Sequence, residues 1–432
     1  MRLGGRIAAA VEVLDDMASR RRPVADALKD WGLAHRFAGS GDRSAIGNLV
    51  YDVLRRRRSL EFRMGTRETA SLVFGAFLDS SGMEPAALRA ALDGDRFAPP
   101  LPDDARLARF REAGVEGAEP AVAADVPDWM AEPLAASLGL DWVAEARALS
   151  TRPPLDMRVN TLKATREEVS AELAPFDAAP TPLSPVGLRV PPIVGEGRHP
   201  NVQVERGFQT GTFEIQDEGS QIAALLCGAR EGERVLDYCA GAGGKTLALA
   251  ASSDSAAEIH AFDADRQRLA PIWERLARAG ATAVTVHAPR DDLSKLYGTM
   301  DLVVVDAPCT GAGTWRRRPD AKWRLTEAQL TKRMGEQDKV LDAAARFAKP
   351  GARLAYITCS VLREENAGRV EAFLARTPGW RLADAQGLWA ERLPGAPPAY
   401  HAERIGEGAV LTLTPLRSGT DGFFFALLER TA

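Results

Sequence analysis

The 432-residue sequence predicts an α/β protein. Its doubly wound, Rossmann-like sheet is closed by a C-terminal antiparallel hairpin and preceded by a small α+β module and an all-α N-terminal domain. Three observations carry that prediction. From Glu233 onward, short runs rich in β-branched residues alternate with helical stretches, the pattern of parallel strands joined by crossovers. Before about residue 92, Ala, Leu and Arg recur at helical spacing and strand-like alternation is scarce. Between these regions MRVN, GLRVPP and TFEIQ are strand candidates around the helix candidate ATREEVSAEL.

The length favours two or three domains over one core. A composition of 45% hydrophobic and 26% charged residues is that of a soluble globular chain. A net charge of -4 excludes a globally basic, histone-like binder but leaves room for a local basic face. No apolar run approaches the roughly 18 residues of a membrane span. Glu12, Asp15 and Asp16 break the first apolar stretch, so it reads as an amphipathic helix with Ile7, Val11, Leu14 and Met17 on one face, not as an export signal. The four cysteines form no C-x-x-C pair and have no metal-ligand spacing, so free thiols in a reducing cytoplasm are expected, with no metal.

In chain order, Ser40–Leu60 predicts a helix with an apolar stripe through Ile46, Leu49, Val50, Val53 and Leu54. Its basic end, Arg55–Arg58, either binds RNA or forms a favourable C-terminal turn, the simpler reading. Residues 93–127, rich in Pro, Asp and Gly, read as a linker holding one short helix, and a further helix starts near Asp128. The expected division is therefore 1–127, 128–225 and 226–432. The strands of the last part are RVLDYC, EIHAFDAD, AVTVH, LVVVD and RLAYITCS, and VLTLTPLRSGTDGFFFALLER reads as two strands about a turn.

The turn Gly241-Ala242-Gly243-Gly244-Lys245-Thr246 fails two nucleotide fingerprints. A P-loop requires glycine at position 239, which is Cys239, and G-x-G-x-x-G from Gly241 ends on Thr246. What remains is a strand ending in Asp237, glycines that admit a ligand to the backbone, and a second strand ending in Asp263, placed to hold a ribose diol. This is the arrangement of S-adenosylmethionine methyltransferases. A turn serving only close helix packing is the alternative. The expected cofactor cradle comprises Asp237, Cys239, Ala240, Gly241, Ala242, Gly243, Gly244, Lys245, Asp263, Arg268 and Asp306.

Two later strands end in Asp306-Ala307-Pro308-Cys309 and Thr358-Cys359-Ser360, bringing two thiols to one sheet edge. Methylating carbon 5 of cytosine needs a thiolate to add at carbon 6, because the ring carbon is otherwise too weak a nucleophile. Asp306 is placed to hydrogen-bond ring N3 and the exocyclic amine, and Lys245 either assists or faces solvent. Cys227, and mostly the thiol of Cys239, read as small buried groups. Spacing alone does not rank Cys309 against Cys359.

Six ordered blocks carry a family resemblance: RVNTLKA (Arg158–Ala164), FEIQDEGSQ, DYCAGAGGKT, DAPCTGAGTWRRRPD, TCSVLREEN and DGFF (Asp421–Phe424). The chain resembles the RsmB/Sun-type RNA (cytosine-5)-methyltransferases, and within them the bacterial members acting on small-subunit ribosomal RNA. The resemblance implies Cys359 as nucleophile, Cys309 as the group that helps release product, and Asp306 and Lys245 as supports of the base. It further implies S-adenosylmethionine as cofactor and a NusB-like N-terminal region. The expected RNA contacts are Arg158, Asn160, Arg316, Arg317 and Arg318, with no membrane and no obligate protein partner. Alternatives are a non-catalytic RNA-binding or ribosome-assembly factor, or transfer RNA or DNA as substrate. The chain departs from the family's A-A-P-G-G-K-T turn by losing its proline. Val286-His287-Ala288-Pro289-Arg290 stands where the third strand usually leads to an acid, and the N-terminal region is shorter than NusB-like domains.

Overall fold

Amphipathic helices build the N-terminal region of the computed structural model, which describes residues 1–431. They run Leu3–Arg20, Val24–Ala34, Ser40–Arg55, Arg57–Met64 and Thr69–Ser81. The anticipated stripe residues Ile7, Leu14, Met17, Ile46, Leu49, Val50, Val53 and Leu54 are buried in one core with Phe74 and Leu78, and Val11 packs at its margin. The expected linker contains a second helix, Pro120–Ala123, besides Asp104–Glu112, whose Leu107 and Phe110 join this core. The Arg55–Arg58 run is committed to neighbouring acids: Arg55 to Asp52, Arg56 to Asp79, Arg57 to Glu61 and Arg58 to Asp128.

Packing divides the chain into two units. One comprises Met1–Pro153, Pro192–His199 and Trp315–Leu325; the other comprises Pro154–Pro191, Pro200–Thr314 and Thr326–Ala432. The helical stretch 128–149, which the sequence pattern groups with the α+β module, thus packs in the first unit. The Trp315–Leu325 segment of that unit caps a helix end. Trp323 Nε1 donates to Leu54 O (2.6 Å), and Lys322 Nζ donates to Arg55 O (2.8 Å) and Ser150 Oγ (2.9 Å). These carbonyls lie in the last turn of Ser40–Arg55, where helical partners run out. Burial holds the Lys322 ammonium down to about 7.

The second unit contains two sheets. Strands β1 (Leu155–Val159), β2 (Ala179–Pro180), β3 (Gly187–Val190) and β4 (Phe213–Ile215) form the smaller one in the order β2-β3-β1-β4. Its helix Arg166–Leu173 starts on a Thr165/Glu168 capping box. The larger sheet contains β5 (Arg234–Asp237), β6 (Glu258–Phe262), β7 (Val284–His287), β8 (Met300–Asp306), β9 (Ala348–Thr358), β10 (Trp380–Leu382), β11 (His401–Ile405), β12 (Gly408–Leu413) and β13 (Phe423–Arg430). Its order is β11-β12-β13-β9-β8-β5-β6-β7, with β10 paired to β13. β5, β6, β7, β8 and β9 run parallel; β13 is antiparallel to β9.

The expected C-terminal strands β12 and β13 do pair antiparallel, with the short helix Pro415–Ser418 between them. The tight hairpin is instead β11–β12. β11 reads HAERI, half-exposed along its length, so it lacks the apolar run that marks a strand.

Candidate active site

Parallel strands place their C-terminal ends along one edge, where open α/β sheets bind ligands. Asp237 ends β5, Asp263 follows β6, Asp306 ends β8 and Cys359 follows β9. Beyond β5 the chain turns through Gly241 (φ 50°) and Gly243 (φ 85°) into the helix Gly244–Ser252. A Cβ on Gly243 would lie 2.7 Å from Ile272 Cγ1 as well as straining the backbone. Ala240 N–H donates to Phe262 O (2.9 Å), Gly243 N–H to Ala240 O (2.8 Å), and Arg275 to Ala242 O (2.7 Å), which fixes the turn.

Asp263 accepts from Gly241 N–H (2.9 Å) and Asp265 N–H (2.8 Å), and Arg268 lies 3.7 Å from it. Asp237 Oδ2 accepts from Thr246 Oγ1 (2.7 Å), while the buried Oδ1 has no hydrogen-bond partner among the described residues. Burial pushes the Asp237 carboxyl up to about 7. Burial, with Asp237, Asp263 and Asp306 nearby, also raises the Cys239 thiol well above its ordinary value. These residues suit S-adenosylmethionine. Acids at neighbouring strand ends complement its sulfonium and ammonium charges, each Asp263 oxygen keeps a lone pair for a ribose hydroxyl, and the uncommitted Asp237 oxygen is a further acceptor.

The two thiols come together: Cys309 Sγ lies 3.4 Å from Cys359 Sγ. That hydrogen bond, then burial and the charge of Glu365, hold the Cys309 thiol well above its ordinary value. Lys245 is buried, which removes the solvent-facing alternative. Its Nζ donates to Ser220 Oγ (2.8 Å) and Asp306 Oδ2 (3.3 Å), and it stands 5.1 Å from the centre of the Phe423 ring. Gly313 N–H donates to Cys359 O (2.9 Å), and Gly422 N–H to Gly313 O (2.8 Å). The two glycines touch backbone to backbone, since a Cβ on Gly313 would sit 2.1 Å from Gly422 O. Cys227 donates to Ala223 O, and burial drives its thiol up to about 12, in line with a packing role.

The expected RNA contacts are placed as follows. Arg158 is buried and donates to Gln216 Oε1 (2.6 Å). Asn160 is buried, and its Nδ2 donates to Gly211 O and Ala279 O (2.8 Å each). Both are consumed inside the fold because RVN closes β1 against neighbouring loops. Arg316 is also buried, its carbonyl accepting from Arg55; Arg317 is half-buried and Arg318 exposed. At the end of β7, His287 Nε2 meets His260 Nδ1 at 2.9 Å, so an imidazole pair occupies the region where the third-strand acid was missing.

Ser220, Thr246 and Phe423, which contact Lys245 or Asp237, lie within the FEIQDEGSQ, DYCAGAGGKT and DGFF blocks, where no rare residue type marks them. Glu365, Asn366 and Gln337 are unmarked as well. Among the described residues, no group of metal ligands and no helix long and apolar enough to cross a membrane occurs.

Comparison with known proteins bears on the family and the fold. A family model described as 16S rRNA methyltransferase RsmB/F matches residues 224–429, and a ferredoxin-like domain model of RsmF/B-like methyltransferases matches 126–192. The latter starts near the pattern-based boundary at 128, whereas packing places the division at Pro153. The ribosomal RNA small subunit methyltransferase B of Xylella fastidiosa (strain 9a5c) is 32% identical over 90% of this chain and 91% of its own. That of Sodalis glossinidius is 33% identical over 69% of this chain, and the match spans 64% of the Sodalis protein. The crystal structure of PH0851 superposes with a TM-score of 0.73 at 24% identity, covering 100% of this chain and 99% of that one, and so shares the fold.

Proposed function

We propose that this chain, which belongs to the RsmB/F family of S-adenosylmethionine-dependent RNA cytosine-5 methyltransferases, methylates a cytosine of small-subunit ribosomal RNA through a Cys359 adduct. The 3.4 Å thiol pair beside Lys245 and Asp306 carries the chemical part of this reading. The names of the relatives support the ribosomal target.

The Cys359 thiolate adds to carbon 6, and the 5,6 π pair of the ring is delivered to carbon 5. Asp306 accepts from the exocyclic amine and from N3–H once N3 has taken a proton from solvent, a proton that N3 returns to solvent when the 5,6 double bond is restored, and Lys245 holds that carboxylate in place. S-adenosylmethionine, when bound, supplies the electrophilic methyl group. The carbon-5 proton then passes to water, its bonding pair restores the 5,6 double bond, and the carbon–sulfur pair returns to Cys359. Cys309, kept a neutral thiol, donates its S–H to that departing sulfur and recovers a proton from solvent. The target base must leave its stack, which costs a few kcal/mol and least in a loop or single strand.

Two experiments test the reading. On a denaturing gel, Cys309→Ala is expected to accumulate a covalent RNA–protein band and Cys359→Ala to give neither band nor methylation; the reverse assignment of bands would overturn the roles. Bisulfite sequencing of RNA from cells with and without the gene is expected to show one 5-methylcytosine lost from small-subunit ribosomal RNA. Loss from transfer RNA alone would overturn the substrate.

A further inference from the structure

Each catalytic cysteine is bracketed by one of two consecutive side chains on the turn after β9. Glu365 is fully buried and carries three hydrogen bonds. Its Oε1 accepts from Thr310 N–H (2.8 Å) and Gln337 Nε2 (3.0 Å), and its Oε2 from Thr310 Oγ1 (2.5 Å). Thr310 directly follows Cys309. Gln337, buried in the helix Glu327–Ala345, also donates to Pro308 O (3.0 Å), the residue before Cys309. Cys309 is thus held on both sides from Glu365 and its partner Gln337. Asn366 does the same for Cys359. Its Oδ1 accepts from Thr358 Oγ1 (2.5 Å) and its Nδ2 donates to Ser360 O (3.0 Å). Tyr356 Oη, from within β9, donates to Glu365 O (2.6 Å) and fixes the turn to the strand.

We propose that Glu365 and Asn366 are positioning residues that set the spacing of the two thiols, Glu365 through the Cys309 loop and Asn366 through the flanks of Cys359. The proposal rests on the cysteine roles given above. A buried carboxylate with three neutral donors and no ion pair among the described residues is an expensive group to keep in a core, and its bonds converge on one loop. The charge of Glu365 also helps keep the Cys309 thiol protonated. Because adduct formation needs only Cys359 and adduct release needs Cys309 beside it, loosening the two brackets has opposite signatures.

The test compares Glu365→Ala, Glu365→Gln and Asn366→Ala with wild type and Cys309→Ala, using full-length protein, a ribosomal RNA fragment and S-adenosylmethionine. Glu365→Ala is expected to raise the covalent adduct at least about tenfold with unchanged cofactor affinity, since an ångström-scale displacement of a reacting group has a large kinetic cost. Glu365→Gln is expected to restore release to within about threefold of wild type, because the Thr310 hydroxyl can turn to accept from the new amide. Asn366→Ala is expected to slow methylation at least about tenfold without adduct accumulating. Loss of activity in proportion to lost folded protein, with an unchanged adduct fraction, overturns the proposal. So does wild-type turnover by Glu365→Ala. Should Glu365→Ala not fold, Thr310→Val removes a single bond, and the absence of any adduct increase there overturns the proposal equally. Adduct with Cys309→Ala but not with Glu365→Ala refutes the bracket alone; none with Cys309→Ala refutes the underlying cysteine roles.

Discussion

Replacing Gly313 by alanine tests whether a backbone contact, not a side chain, holds Cys359, the proposed nucleophile, in place. The added Cβ would lie 2.1 Å from Gly422 O, 2.6 Å from its carbonyl carbon and 2.7 Å from its Cα. Ordinary contact begins near 3.4 Å, so the two segments must separate by roughly 1.3 Å, and backbone offers no rotamer to absorb it. That movement breaks Gly422 N–H to Gly313 O and strains Gly313 N–H to Cys359 O. Two hydrogen bonds at about 1 kcal/mol each, added to about 1–3 kcal/mol of overpacking, give a destabilisation of about 3–5 kcal/mol. Displacing the Cys359 loop by about an ångström should also cost about a hundredfold in kcat. Denaturant unfolding and single-turnover methylation measure the two effects. Gly335→Ala is the control, since it lies in the helix Glu327–Ala345 with open space around its Cβ, and should gain about 0.5–1 kcal/mol at unchanged kcat. If Gly313→Ala loses stability but keeps wild-type kcat, the contact does not position Cys359.

Asn160→Ala should cost about 2–4 kcal/mol by stranding Gly211 O and Ala279 O, while RNA Kd measured on the folded fraction stays unchanged. An altered Kd at full stability would restore its RNA role. Trp323→Phe leaves Leu54 O without its indole donor and should destabilise the helical unit by about 1–2 kcal/mol in denaturant unfolding; an unchanged midpoint would deny the cap. The Asp237 carboxyl, raised to about 7, keeps its proton in the folded state where the unfolded chain releases it near 4. Stability from this group is therefore full below about 4 and lost as pH rises to about 7, so Asp237→Asn should flatten the pH dependence over that window. Equal slopes in the two proteins would contradict that assignment.

The parallel sheet was legible because β8 reads as a near-continuous apolar run, the mark of a strand covered on both faces. The placement of the candidate site was legible where rare residue types stand at strand ends: Asp237, Asp263, Asp306 and the two thiols. It was illegible where ordinary polar residues act through buried geometry. Nothing in R-V-N reveals that Arg158, on β1, and Asn160, just after it, are both buried. Glu365 and Gln337 stand 28 residues apart and meet only through tertiary packing. The strands β10 and β11 escaped notice because their short, half-exposed sequences leave packing to decide their conformation.

The position of β13 has a consequence for the timing of synthesis. It pairs between β9 and β12, and the turn leading into it presses Gly422 against Gly313. β9 therefore leaves the ribosome with one edge unpaired, and the strand that covers it begins about 65 residues later. At about 5–20 residues per second that interval lasts about 3–13 s. Throughout it the nascent sheet presents a naked apolar edge, the kind of surface that chaperones shield. A partly synthesised chain would already carry both thiols without the backbone contact that seats them, so the Cys359 loop settles only once β13 has been made and has paired.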